Sequence, residues 1–380
     1  MERIRRRQLL QLLGYGSLGL AVAPARGQGQ RRDPLTTLLT EAYGIRHPIV
    51  GAGMGFYALP DLVAAISNAG ALGVLGAAPA PPPALRVLIQ QTLGLTDKPF
   101  AVDLVNTVLF GGTVPAVTDD HITVLVEEGV RIVVFFWDTP QAAWVQRLHD
   151  AGAQVWMQVG SLAGAHAAVE VGVDGLIAQG VEAGGHNRNA YEGSATPRAT
   201  LVSQIIEAVA PRLVLAAGGI ADGLGLATTL REGADGAWVG TRFATARESY
   251  AHDEYKRRVL QATATDTVVT TLFGPEWCPA HGRAIRNQVV KEFAGGGPGF
   301  VEGGCPPPAS EIIGQTNLFG QPYAMPKFSA ILPTQETTGD FEEMWLAAGG
   351  VSAALIRDVQ PAAQIIAHMV AEARQLLAAR

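Results

Sequence analysis

Eight consecutive residues, Gln179-Gly180-Val181-Glu182-Ala183-Gly184-Gly185-His186, join a side-chain amide, a glycine pair and an imidazole. Imidazole titrates near neutral pH, so His186 is a candidate for proton transfer or for hydrogen bonding to a reacting group. Gly184 and Gly185 lack a Cβ and let backbone approach a ligand closely. The bland alternative is a tight turn followed by a solvent-facing histidine. Two more glycine turns, Gly218-Gly219-Ile220 and Gly240-Thr241, lie about 22 residues apart. Their backbone N–H groups and the Thr241 hydroxyl form a candidate phosphate cradle, towards which a helix opening at Asp222 would aim its positive end, although Asp222 itself would cap that helix and is a poor phosphate neighbour. One such turn reads as an ordinary connection; two in consecutive units favour phosphate. Gly51-Ala52-Gly53-Met54-Gly55 adds a loop of nearly bare backbone.

Elements that hold these residues are legible in the apolar runs. Strand signals fall at 49–50, 72–75, 100–105, 132–136, 154–159, 175–178, 213–217 and 236–239, with helical patterns between them. Short, near-continuous apolar runs of this kind mark strands buried on both faces. Each glycine turn, and His186, then lies just past a strand's carboxyl end, where α/β barrels carry their chemistry. The alternation predicts a closed (β/α)8 TIM barrel. An open doubly wound sheet would want an early G-x-G-x-x-G with an acidic residue about 20 positions on, which 51–56 does not supply.

Composition agrees: hydrophobic residues make up 48% of the 380-residue chain and charged residues 16%, enough for a large core with many apolar strands. The formal charge of −6 and the lack of a basic stripe exclude a nucleic-acid footprint. Residues 1–25 read as a twin-arginine-type signal peptide: Arg6-Arg7, an apolar run at 9–22, and an Ala23-Pro24-Ala25 cleavage pattern. The run is too short for a stable membrane anchor. Export places the protein in the periplasm or beyond; without a working signal it is cytoplasmic. Residues 26–47 read as a linker and lead-in helix, 48–245 as the barrel, 246–340 as an insertion or lid over the barrel mouth, and 341–380 as closing helices. Helices are expected at 248–261, 341–348 and 362–379. The Gly/Pro-rich stretch 273–333 is expected to be irregular. Cys278 and Cys305 are open to either a disulfide or free thiols.

The chain resembles the nitronate monooxygenase family, within the broader group of FMN-dependent barrels. The resemblance rests on P-I-V-G-A-G-M-G ending at Gly55, S-N-A-G-A-L-G-V-L-G from Ser67, G-L-I-A-Q-G-V-E-A-G-G-H ending at His186, A-A-G-G-I-A-D-G from Ala216, and G-A-W-V-G-T-R-F from Gly236. It implies FMN with its phosphate on Gly218, Gly219, Gly240 and Thr241. It implies a flavin ring near Ala52, Gly53, Met54, Asp103, Gln158 and Gln179, with Gly184 and Gly185 adjacent and His186 catalytic. The implied reaction is oxidation of alkyl nitronates by dioxygen to a carbonyl compound and nitrite. His186 would act as a base towards a neutral nitroalkane, or hydrogen-bond the nitro oxygens of a preformed nitronate. The expected partners are the nitronate and dioxygen, and a homodimer is allowed.

Four departures from the family pattern bear on substrate and subclass. The chain has Gly51-Ala52-Gly53-Met54 where Gln-Ala-Pro-Met is common, Asp103 where Asn is frequent, Gln158 where some relatives carry Lys, and Asn187-Arg188 where Arg-Gly is usual. The alternative function is an NAD(P)H-dependent flavin oxidoreductase of the quinone or enoyl type. A ligand-binding barrel without turnover is a third.

Overall fold

The computed structural model describes residues 33–109 and 112–379; the export segment lies outside the described residues. Eight parallel strands form one sheet: β1 (Ile49–Gly51), β2 (Gly73–Gly76), β3 (Phe100–Asn106), β4 (Ile132–Trp137), β5 (Gln154–Val159), β6 (Gly175–Gln179), β7 (Leu213–Ala217) and β8 (Gly236–Val239). Neighbours run β1-β8-β7-β6-β5-β4-β3-β2. A parallel bridge between Val50 and Leu72 closes the ring, with Gly51 N–H donating to the Leu72 carbonyl at 2.9 Å. The fold is the TIM barrel the alternation predicts.

Side chains along a strand alternate sides, and here the two sides bury different clusters. Outward residues such as Ile49, Leu75, Val102, Val133, Phe135 and Val155 pack under the helices. Inward residues such as Val50, Val74, Ala101, Val134, Trp156 and Ile177 fill the barrel. Gly175 and Gly236 make room inside: a Cβ would come within 2.8 Å of Trp156 and 2.7 Å of Leu39 respectively. The lead-in helix, Leu38–Tyr43, plugs the amino-terminal end. Its Thr37 and Thr40 form a reciprocal capping box, and Tyr43 accepts a hydrogen bond from the Trp156 indole at 3.0 Å.

After β8 only a four-residue helix, Thr241–Ala244, follows. The position of the eighth outer helix is taken by Ala362–Ala378, which packs on the Gly223–Arg231 and Pro60–Asn68 helices. Between them comes a cap. Its strands β9 (Thr267–Thr270) and β10 (Gly282–Ile285) pair antiparallel, and β11 (Ile312–Leu318) and β12 (Gln321–Pro326) form a hairpin. Leu272, Phe273, Val289, Val290, Phe293, Phe300, Phe328 and Trp345 give the cap a cluster of its own. The stretch expected to be irregular is therefore partly ordered. Cys278 and Cys305 are joined in a disulfide within it.

One helix expectation is shortened and another fails. The helix expected at 248–261 begins only at Asp253, capped by His252, because Ala251 bridges to Thr334. No helix forms over 341–348. Ala347 bridges Ala284 and the Leu346 carbonyl accepts from Ile285 N–H, so Met344, Trp345 and Leu346 are buried by an extended chain. The next helix is Gly350–Leu355.

Candidate functional site

A cavity of about 270 Å³ opens at the carboxyl ends of the strands, between barrel and cap. The period-two parity that fills the barrel also furnishes its mouth. Asp103, Phe136, Gln158 and Gln179 each lie two residues beyond an inward side chain, and all four line the cavity. Ala52, Gly53 and Met54 border it after β1, Gly184, Gly185 and His186 after β6, Gly218 and Gly219 after β7, and Gly240 and Thr241 after β8. The residues assigned to cofactor and catalysis in the sequence thus all line this one cavity.

The glycines do different jobs. Gly218 and Gly219 have φ of 114° and 72°, a left-handed region that other residues avoid, and so turn the backbone at the cradle. A Cβ on Gly240 would meet only Ala52 and Met54, at 3.7 and 3.9 Å, so that backbone faces open space. A Cβ on Gly185 (φ 68°) would have nothing within 4 Å, whereas a Cβ on Gly184 would be 2.2 Å from the Gly349 nitrogen. Gly184 therefore admits the chain at Ala348-Gly349, and the close approach it permits is not to a ligand.

At the helix behind the cradle the Asp222 cap read from the sequence forms, and a second carboxylate, not foreseen there, joins it. Asp222 caps Gly223–Arg231 through Gly225 N–H at 2.8 Å, and Glu372 accepts from Gly223 N–H at 2.8 Å. Two carboxylates occupy that positive end, which leaves the glycine-turn amides and Thr241 as the cradle. The Thr241 oxygen accepts from Gly349 N–H at 3.0 Å, so its own O–H remains a donor. Behind the turn, Arg198 donates to the Gly218 carbonyl at 2.9 Å and pairs with Glu232.

His186 sits in a two-residue strand, Gly185–His186, that pairs with Gly282 and Arg283 of β10. Gln179 spans the loop: its amide nitrogen donates to the His186 carbonyl at 3.0 Å and its oxygen accepts from Arg188 N–H at 2.7 Å. Both ends of that amide are thus committed to the loop. Arg283 donates to the carbonyls of Val181 and Ala183 at 2.8 and 3.2 Å. Around the imidazole stand Trp277, Trp345 and Trp137, with ring centroids 4.2, 4.6 and 5.8 Å away. Burial among these rings pushes the His186 imidazole down to about 3, so it is neutral at physiological pH. His186 Nε2 and Trp345 Nε1 are buried without a hydrogen-bond partner. Trp137, the last residue of β4, has φ 88°, unusual for so large a side chain.

Sequence reasoning missed the tryptophans. Half of the chain's six gather at this histidine from three distant segments. It also missed Glu276, which lines the cavity beside Trp277; burial raises its carboxyl, and its oxygen accepts from Ala330 N–H at 3.1 Å. The adjacent Cys278 was the available signal, since its disulfide fixes that segment. Asp103 is 5% exposed, has one oxygen without a partner, and burial holds its carboxyl well above the usual range. Among the described residues no lysine or arginine lines the cavity.

Comparison with known proteins follows the same outline. A family model described as nitronate monooxygenase matches residues 36–372. A Mycobacterium tuberculosis protein named (3aS,4S,5R,7aS)-5-hydroxy-7a-methyl-1-oxo-octahydro-1H-indene-4-carboxyl-CoA dehydrogenase is 38% identical over 266 residues, 69% of each chain. A nitronate monooxygenase of Paraburkholderia phytofirmans is 30% identical over 368 residues, covering 87% of this chain and 93% of that one. The solved structure of a nitroalkane oxidase from Streptomyces ansochromogenes superposes with a TM-score of 0.71 at 26% identity, over 90% of this chain and 99% of that one.

Proposed function

The chain belongs to the nitronate monooxygenase family, and from that premise we propose that it uses FMN to oxidise alkyl nitronates with dioxygen, giving a carbonyl compound and nitrite. The family is flavin-dependent and the chain is a flavin-dependent oxidoreductase. The residues present suit FMN. Bare backbone at Gly218, Gly219 and Gly240, with the Thr241 hydroxyl, offers N–H and O–H donors to a phosphate without needing a cation. Ala52, Gly53 and Met54 offer a flat wall to a ring, and Asp103 and Gln158 offer polar groups at its edge. When bound, the flavin would supply one-electron chemistry between nitronate and dioxygen.

One observation carries the substrate reading: His186 is held neutral inside a tryptophan cluster. Held down by burial, the imidazole is a weaker base towards a neutral nitroalkane than a free histidine would be. A neutral imidazole does serve as a hydrogen-bond donor to the oxygens of a nitronate that is already deprotonated. Of the two roles open to His186 in the sequence, this favours the second. The tryptophan rings cover much of the imidazole, and reduced contact with water strengthens that hydrogen bond.

The runner-up is a flavin oxidoreductase that exchanges hydride with a nicotinamide. The relative named as a CoA-ester dehydrogenase favours it. Against it, a second nucleotide brings phosphates that proteins usually meet with arginine or lysine, and the described cavity wall has neither. Anaerobic mixing with a nitronate, and separately with NADH, separates the two. Bleaching of the flavin by nitronate is expected; bleaching by NADH alone would overturn the first reading. We further propose that the protein works after export, because the Cys278–Cys305 disulfide suits an oxidising compartment. Fractionation of a producing cell, with the mature amino terminus sequenced, tests this.

A further inference from the structure

We propose that Asp103 carries its proton and donates it as a hydrogen bond to an acceptor on the flavin ring, and that Gly53 is a glycine because Asp103 fills the volume a side chain there would need. The inference rests on the flavin reading above and specifies how this chain holds the ring edge.

Asp103 is fixed by its strand. It pairs in register with Gly76, and its carbonyl accepts from Ala77 N–H at 3.1 Å. Its side chain points inward with the parity of Ala101 and borders the cavity beside Gly53. A Cβ on Gly53 would lie 2.3 Å from the Asp103 Cβ, 2.4 Å from Oδ2 and 2.8 Å from Cγ. The carboxyl therefore lies flat on bare backbone, and the two positions cannot both carry side chains. This ties together two of the departures seen in the sequence, Gly53 and Asp103.

Nothing on the wall balances a negative charge at that point. The titratable groups lining the cavity are Tyr57, His121, His186, Tyr255 and Glu276. The two histidines are both pushed down by burial, and His121 Nε2 is already engaged with the Ala80 carbonyl at 3.1 Å. The tyrosines are pushed up and stay neutral; Glu276, if ionised, adds charge of the same sign. An isolated buried carboxylate takes up a proton instead, and Asp103 Oδ1 has no partner to prevent it. A carboxylic acid has one donor and one acceptor side, the capacity of an amide. The pyrimidine edge of an isoalloxazine alternates carbonyl acceptors with an imide N–H, which an ionised carboxylate would repel in part and a neutral acid would match.

The test uses the full-length purified protein. Infrared difference spectra of the holoprotein at pH 7 should show the carbonyl stretch of a protonated carboxyl that vanishes in Asp103→Asn. FMN affinity, read by flavin fluorescence, should stay within about threefold in Asp103→Asn and fall by about tenfold or more in Asp103→Leu, which keeps bulk and loses the hydrogen bond. Gly53→Ala should weaken FMN binding alone and be tolerated beside Asp103→Gly. Holoprotein without the band, or Asp103→Leu binding FMN as tightly as the parent, overturns the inference while leaving the flavin reading intact. Protein that binds FMN in no variant sinks the flavin reading itself, and this inference with it.

Discussion

The two ends of the cavity are built on opposite rules. At the cradle, Gly218, Gly219 and Gly240 present bare backbone, joined by the Thr241 hydroxyl. At His186, three indoles crowd one imidazole. The first end obtains its chemistry from amides and one hydroxyl, which need no titration and no cation. The second obtains it from desolvation, which fixes a protonation state. The site thus tunes charge by removing either side chains or water, not by adding ions. Gly184 and Gly185 sit at the border between these ends, and they separate the two uses of glycine within one dipeptide.

Four experiments press on that contrast. Gly184→Val carries the largest expected effect. Its Cβ would overlap the Gly349 nitrogen, so the cap must part from the loop; overpacking of this sort costs about 1–3 kcal/mol or more, and purified protein should lose its flavin and its turnover together. His186→Asn should stay yellow while nitronate turnover falls about 100-fold or more, the scale for losing one preorganised donor. Unchanged turnover would remove His186 from the chemistry.

Trp277→Ala tests desolvation. In the parent, the His186 imidazole titrates lower folded than unfolded. The unfolded chain therefore takes up the proton first as pH falls, and His186's share of stability, full above about 6.5, is lost on the way down towards 3. Between pH 7 and 5 that loss is on the order of 2 kcal/mol, read from urea midpoints. Water admitted by Trp277→Ala should shrink it to about half. A pH dependence identical to the parent's would mean that Trp277 does not shield the ring. The smallest effect belongs to Gly185→Ala, where only the left-handed φ is violated, at about 1 kcal/mol. Gly185→Asn should recover part of it, since asparagine tolerates that region. If Gly185→Ala proved as damaging as Gly184→Val, the division between the two glycines would collapse.

The barrel was legible because its strands are buried on both faces and so read as apolar runs, and parity then places Asp103, Gln158 and Gln179 at the mouth. The glycine cradle was legible for a similar reason, since backbone sites advertise themselves by missing side chains. The tryptophan cluster was not. Trp137, Trp277 and Trp345 reach His186 only through tertiary folding, and no local period links them. The apolar run at Met344-Trp345-Leu346 mimics a helix because periodicity cannot distinguish a buried extended chain from one. The Asp222 cap on the Gly223–Arg231 helix is legible in the sequence; Glu372, 149 residues beyond Gly223, which holds that residue's amide, is not.

The pairing of Gly185–His186 with β10 sets an order on biosynthesis. A ribosome emits the histidine loop well before Arg283, which follows Ala183 by 100 residues. Throughout that interval the nascent ring of strands has no partner for its reactive turn. The pocket needs segments as late as Trp345, and a chain ending at Thr241 would lack strand β10, the Trp277 and Trp345 indoles and the outer helix that complete it.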